Sequence, residues 1–103
     1  MSESVLIVDE IASRRDELSR ALDAEGFKVV QSDSASAAVR DIWENRFVVV
    51  LIASVLSDTR PQALSEQLMQ MAPEIETMIY SKGDAAHKLA RRAAQIRDGE
   101  VAA

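Results

Sequence analysis

The stretch VVVLIASVLSD, Val48 to Asp58, decides the fold of this 103-residue sequence. A continuous aliphatic run leads to the small residue Ala53, and the chain then becomes polar. A strand buried on both faces has this composition, and such strands belong to parallel sheets that are covered by helices. In these sheets the ligand site forms at the carboxyl ends of the strands. The stretch therefore predicts a central strand that carries an alanine at the mouth of a site.

Three further apolar runs alternate with segments whose apolar residues recur at helical spacing. Gly26 and Pro73 mark the ends of two of these helical segments. The predicted strands cover 5–8, 27–30, 47–52 and 76–81, and the predicted helices cover 12–25, 35–45, 62–71 and 84–97. This βαβαβαβα order predicts one α/β domain over residues 1–103, with a parallel sheet between two layers of helices.

The composition argues against several classes of protein. Without cysteine, thiolate metal sites and cysteine nucleophiles are excluded. A net charge of −5 repels phosphate backbones, so direct nucleic-acid binding is not expected. No apolar run approaches the roughly 20 residues that span a bilayer, and no signal peptide is apparent, so the predicted location is the cytoplasm. Nucleotide-binding and hydrolase motifs are absent, so no enzyme activity is expected.

Three strand ends carry residues in an order that resembles the response-regulator receiver (CheY-like) domain. VLIVDE at 5–10 resembles that family's first strand and acidic pair, FVVVLIASVL at 47–56 its third strand, and TMIYS at 77–81 its fourth. The resemblance covers nearly the whole sequence and implies a CheY/flavodoxin-like fold with strand order 2-1-3-4-5. The sequence ends where the family's fifth strand and its lysine would follow. The expected fold is therefore truncated after the fourth βα unit.

The resemblance also implies a degenerate acidic pocket. Asp9 and Glu10 match the acidic pair that holds Mg²⁺ in the family, and Ser81 matches the hydroxyl that contacts the phosphoryl group. Ala53 stands at the position of the phosphate-accepting aspartate, and Lys82 replaces a small residue. One hypothesis is that Lys82 pairs with one of the two carboxylates. In another, both carboxylates only cap a helix or bond to loop amides.

Alanine at position 53 removes the chemistry of a phosphoacceptor. Phosphoryl transfer to a receiver needs a carboxylate nucleophile, a divalent metal and a cation, and alanine has no lone pair with which to attack phosphorus. Asp9 and Glu10 alone would bind Mg²⁺ only weakly, because a third oxygen is missing. Strand alternation is expected to point Ser54 away from the site, and Asp58 would need a remodelled loop. The interpretation is a pseudo-receiver with no catalytic residue and no cofactor beyond weakly bound Mg²⁺.

The fourth strand would be a sheet edge if no fifth strand follows it. An apolar edge of this kind requires a cover, either from the last helix or from a second chain. We expect a homodimer through the fourth strand and fourth helix. Its expected surface comprises Met78, Tyr80, Leu89, Arg92, Ala93 and Ile96. In the alternative, the sequence is a fragment, a following segment supplies the cover, and GEVAA at 99–103 begins a linker.

These expectations combine into a leading functional hypothesis. The sequence is interpreted as a phosphorylation-independent regulatory module of a bacterial signalling or transcription-regulatory protein, acting through dimerisation or protein docking. Two alternatives stay open. One is a small-ligand sensor that uses the vacated acidic pocket, and the other is a conventional phosphoacceptor receiver that uses a non-standard residue.

Overall fold

The structure, a computed structural model, describes residues 3–99 as four strands and four helices in strict alternation. Of the GEVAA tail, only Gly99 lies within the described residues. The elements are β1 Ser4–Val8, α1 Ala12–Ala24, β2 Lys28–Ser32, α2 Ala35–Glu44, β3 Val49–Ala53, α3 Pro61–Met71, β4 Glu76–Tyr80 and α4 Ala86–Arg97. The third strand begins two residues later than predicted and extends through Ala53. No helix in this part of the chain is long and apolar enough to cross a membrane.

All four strands are parallel and lie in the order β2-β1-β3-β4. β3 pairs with β1 on one side and β4 on the other, and every residue from Val49 to Ala53 is buried. This burial explains why the stretch is apolar without alternation, since helices cover both of its faces. The predicted parallel α/β fold is confirmed.

The helices divide into two pairs, one on each face of the sheet. On one face, α1 and α4 pack over β-sheet residues such as Ile7 and Leu51. On the other face, α2 and α3 pack over residues such as Leu6 and Ile52. The inner residues of α4 are small: Ala90, Ala93 and Ala94 are all buried. Small side chains allow α4 to approach the sheet and α1 closely.

The side on which α4 lies has a topological consequence. The connections β1-α1-β2 and β3-α3-β4 run in opposite directions across the sheet, so right-handed crossovers place α1 and α3 on opposite faces. By the same rule, a helix leading from β4 to a parallel strand beyond it would lie on the α3 face. α4 lies on the α1 face instead. α4 therefore completes the helix layer to which α1 belongs. Its position does not suit a crossover from β4 to a neighbouring parallel strand.

Trp43 is not a core residue, although helical spacing in the segment 35–45 predicts Ala38, Val39, Ile42 and Trp43 as its inner face. Its side chain is 77% exposed, whereas Ala35, Ala38 and Ile42 form the buried face of the helix. Trp43 follows Ile42 by one residue, which rotates it by about 100° around the helix axis. The indole therefore lies on the flank of α2.

Two members of the predicted interaction surface are also core residues. Tyr80 is 2% exposed and Ala93 is fully buried, while Met78, Leu89 and Ile96 are half-buried against the same core. Only Arg92 is exposed as expected. The reason is geometric: an edge strand exposes its outer backbone, but its side chains still alternate between the two helix-covered faces of the sheet.

Candidate functional site

The carboxyl ends of β1, β3 and β4 meet at one rim of the sheet and form a cavity with the first half of α1. Asp9 follows β1, Ala53 ends β3, and Tyr80 ends β4 as the register partner of Ala53. The cavity has a volume of about 550 Å³. Its lining residues are Asp9, Ile11, Ser13, Arg14, Glu17, Arg20, Ala53, Ser54, Val55, Tyr80 and Lys82. Of the five residues of the expected acidic pocket, Asp9, Ala53 and Lys82 line this cavity, whereas Glu10 and Ser81 do not.

Asp9 is buried, and both of its carboxylate oxygens accept hydrogen bonds from this chain. The Tyr80 hydroxyl donates to Oδ2 at 2.6 Å, and the backbone N–H of Ile11 donates to Oδ1 at 2.9 Å. Burial raises the pKa of the Tyr80 phenol well above its usual range, and the hydrogen bond to Asp9 raises it further. The phenol therefore stays protonated and remains a donor to Asp9 at any physiological pH.

Glu10 is exposed and bonds to the loop after β3. Its Oε2 accepts from the Ser57 N–H at 2.5 Å and from the Ser57 hydroxyl at 2.6 Å. These bonds, the hydroxyl's first, lower the pKa of Glu10 below its usual value. A proline at position 57 would supply neither the N–H nor the hydroxyl. The serine at this position is therefore what connects Glu10 to the loop.

The acidic pair does not fit a magnesium site. Mg²⁺ requires several oxygen ligands in near-octahedral geometry. Asp9 is committed to Tyr80, Glu10 is committed to Ser57, and Ala53 supplies no oxygen. Across residues 3–99, no three His, Asp or Glu side chains lie close enough together to hold a metal ion.

Ser81 and Lys82 lie on the exposed loop between β4 and α4. The Ser81 N–H donates to Asp84 Oδ2 at 2.8 Å, and its carbonyl accepts from the Asp84 N–H at 3.0 Å. Lys82 lines the cavity, but it forms no ion pair in the described part of the chain. The hypothesis that it pairs with Asp9 or Glu10 is wrong, because Tyr80 and Ser57 already bind those carboxylates.

Arg14 connects α1 to the loop after β4 across the mouth of the cavity. It donates to Glu17 and to the Asp84 carbonyl, and its guanidinium carbon lies 5.5 Å from the centre of the Tyr80 ring. Such a cation–π contact stabilises the buried position of the Tyr80 ring. Arg14 Nε is buried with no hydrogen-bond partner among residues 3–99. Sequence reasoning missed both Arg14 and the inward position of Tyr80.

Neither Ser54 nor Asp58 places a carboxylate in the cavity. Ser54 does line the cavity, contrary to prediction, because β3 ends at Ala53 and strict alternation ends with it. Asp58 bonds to the start of α2, accepting from the N–H of Ala35 at 3.1 Å and of Ser36 at 3.4 Å. A carboxylate there stabilises a helix N-terminus, which is its structural role in this chain.

Comparisons with known proteins identify the fold. No family model matches this sequence, and no curated protein matches it. The structure is similar to a receiver domain from Clostridium thermocellum, with a TM-score of 0.84, 13% identity and coverage of 95% of this chain and 96% of that one. A response regulator from Thermotoga maritima gives 0.84, 15% identity, and coverage of 95% and 99%. A CheY-like receiver domain from Methanospirillum hungatei gives 0.75, 20% identity, and coverage of 91% and 76%. The chain therefore has the receiver-domain fold of two-component response regulators.

Proposed function

We propose that this chain is a receiver-like regulatory module of a bacterial signalling or transcription-regulatory protein that acts without phosphorylation. The observation that carries the proposal is the methyl group of Ala53 at the tip of β3, beside an Asp9 carboxylate that is hydrogen-bonded to Tyr80. The module is regulatory and not enzymatic, and its signal is transmitted through contacts with other proteins.

The chemistry of the site supports this proposal at each step of phosphoryl transfer. A nucleophile is required at the tip of β3, and alanine offers none. A metal must neutralise the phosphoryl oxygens, and the acidic pair is already committed to Tyr80 and Ser57. Ser13 and Ser54 are the serine hydroxyls that line the cavity. A serine requires an adjacent base for activation, and the buried carboxylate of Asp9 is engaged by two donors.

The first prediction concerns phosphorylation directly. Incubation with acetyl phosphate or phosphoramidate and Mg²⁺ should leave the intact mass of the protein unchanged. A conventional receiver treated in parallel serves as the positive control. The Ser54→Ala variant distinguishes phosphorylation of Ser54 from phosphorylation of any other residue. A phosphoryl adduct on the wild-type chain, whether acid-labile or acid-stable, would disprove the proposed mode of action.

We propose that the protein contacts are made by the β4 edge and α4, and that one partner is a second copy. The described part of the chain leaves the outer edge of β4 without a neighbouring strand. Next to this edge, α4 presents the exposed cations Lys88 and Arg92. A homodimer through this edge would cover it.

A second candidate function, ligand sensing, is favoured by the cavity itself. Its volume of about 550 Å³ lies within the range of small-molecule sites. Ile11 and Val55 contribute exposed apolar surface, at 56% and 80% exposure, and Lys82 and Arg20 contribute positive charge. This combination suits an organic anion that carries an aromatic ring. The ring would lie against Val55 and the charged group would point towards Lys82.

The second prediction tests this candidate with a matched pair of probes, 2-naphthoate and the neutral 2-naphthamide. Naphthoate should bind more tightly, and Lys82→Ala should weaken its binding by up to roughly fivefold while leaving naphthamide binding unchanged, since a partly exposed ion pair contributes up to about 1 kcal/mol. Ala53→Leu should occupy the floor of the cavity and weaken the binding of both probes. Amide shift mapping by NMR provides the measurement. Equal binding of the two probes, or shifts remote from Ser54 and Lys82, would rule out ligand sensing at this site.

A further inference from the structure

The backbone of β4 alternates between the rest of the sheet and open solvent. The Glu76 N–H donates to the Val48 carbonyl at 3.2 Å, and the Tyr80 carbonyl accepts from the Ser54 N–H at 2.8 Å. Both groups therefore point towards β3. Because hydrogen-bonding direction alternates along a strand, the N–H and C=O groups of Thr77 and Ile79 point outwards from the sheet. The open edge of β4 thus presents two residues with donor and acceptor ready for a further strand.

A parallel strand that directly follows α4 is poorly suited to cover this edge. α4 runs back to the amino end of the sheet, where Arg97 donates to the Glu25 carbonyl and stacks on the Phe27 ring. A strand starting there and lying beside β4 would be parallel to it. Since α4 lies on the α1 face, that connection would be left-handed, and about 98% of such connections are right-handed. The topology therefore favours a strand from another chain.

Apolar side chains flank the open edge on both faces of the sheet. On the α3 face, Ile79 is 41% exposed and Met69 is 52% exposed. Met69 lies one turn after Ser65, whose hydroxyl is 2.6 Å from that of Thr77, so this side of α3 faces β4. On the α4 face, a groove of about 420 Å³ runs along the edge. An added strand would bury apolar surface on both faces as well as pair the backbone.

We infer that the occupant is β4 of a second copy, paired antiparallel about a two-fold axis at Met78. Thr77 of each copy then faces Ile79 of the other copy. Each of these two pairs exchanges both of its N–H···O=C hydrogen bonds. Met78 faces its own counterpart as the non-hydrogen-bonded pair. The two four-stranded sheets become one continuous sheet. This inference rests on the proposed homodimer and specifies the contact that forms it.

Charge complementarity supports a second copy over an unrelated strand. Glu76 is exposed at the amino end of β4, and Lys88 lines the groove beside its carboxyl half. An antiparallel two-fold arrangement brings Glu76 of each copy to the level of Tyr80 of the other, near the start of the other α4. Each Glu76 therefore meets a Lys88, and the contact is self-complementary.

The third prediction uses proline at an outward-pointing position. Ile79→Pro removes only an N–H that points away from β3, so the fold should persist while the dimer dissociation constant rises by about 100-fold. Ile79→Thr is the matched control: it keeps the N–H and a β-branched side chain, so it should remain a dimer with a smaller loss. Sedimentation velocity over a concentration series measures the association, and far-UV circular dichroism reports the fold.

Disulfide trapping tests the register of the proposed β4–β4 pairing without the use of a proline variant. The chain contains no cysteine, so Met78→Cys introduces a single thiol. Oxidation should link Met78→Cys chains across the two-fold axis, because non-hydrogen-bonded antiparallel pairs have Cα atoms about 4.5 Å apart. Ile79→Cys is displaced from its counterpart and should not link. A wild-type monomer at high micromolar concentration would overturn the proposed dimer and this inference together. A dimer that persists in Ile79→Pro, or that does not link through Met78→Cys, would overturn strand pairing alone.

Discussion

Tyr80→Phe should lower the free energy of unfolding by about 2 kcal/mol, because it removes the phenol that donates to a buried carboxylate. The O–O distance of 2.6 Å and the burial of both groups place this bond among the stronger class of charge-assisted hydrogen bonds. The ring itself is retained, so its packing beneath Arg14 and against Ala53 is preserved. Without the hydroxyl, Asp9 keeps only the Ile11 amide as a donor.

A double-mutant cycle isolates this bond from other effects of the substitution. Asp9→Asn replaces the charged acceptor with a neutral one of the same shape, so the cost of Tyr80→Phe in that background should fall by about 1 kcal/mol. Urea denaturation at pH 7 provides all the free energies of the cycle. A cost below about 0.5 kcal/mol for Tyr80→Phe alone would mean that the phenol does not stabilise Asp9.

Ala53→Asp should destabilise the protein by about 2–3 kcal/mol at neutral pH. The new carboxylate would enter the cavity that already holds Asp9, and two carboxylates in one site raise one pKa by about two units, at 1.36 kcal/mol per unit. Arg14 is already bonded to Glu17 and the Asp84 carbonyl, and Lys82 lies on an exposed loop where solvent screens its charge, so neither cation fully offsets the repulsion. We expect no phosphorylation of this variant, since Asp9 and Glu10 remain bound to Tyr80 and Ser57.

The pH dependence identifies the cause of this loss. A carboxyl whose folded-state pKa is raised destabilises the fold fully above that pKa, and the penalty disappears as pH falls below the unfolded value of about 3.9. The difference in the free energy of unfolding between Ala53→Asp and wild type should therefore be larger at pH 8 than at pH 4.5. For Ala53→Asn, which has the same size without the charge, this difference should not depend on pH. If the two variants showed the same pH dependence, charge repulsion would not be the cause of the loss.

The fold was predictable because its signals are local. The unbroken apolar run into Ala53 and the glycine and proline stops define the elements, and the handedness of crossovers then limits the topologies. The position of Asp9 beside Ala53 follows from the same logic, since parallel strands end at one rim. This part of the site depends only on strand order.

The contacts that determine the site's behaviour depend on tertiary structure. Tyr80 was interpreted as surface because its strand is an edge, yet its side chain turns under the α1 layer and reaches Asp9. Trp43 was placed in the core on helical spacing, although one residue of rotation moves it to the flank of α2. Periodicity defines the apolar face of a helix, but it does not define which face of the sheet that helix covers. The position of α4 could therefore not be predicted from the sequence pattern.

The pairing of α4 with α1 has a consequence for how the chain reaches its native state. Leu22 and Ala93 belong to the same core, yet nearly the whole domain separates them in sequence. Contacts between such distant segments form late and slow the search for the native state. During synthesis, the α1 side of the nascent sheet is covered by α1 alone until α4 leaves the ribosome, so part of this apolar surface stays exposed in the meantime.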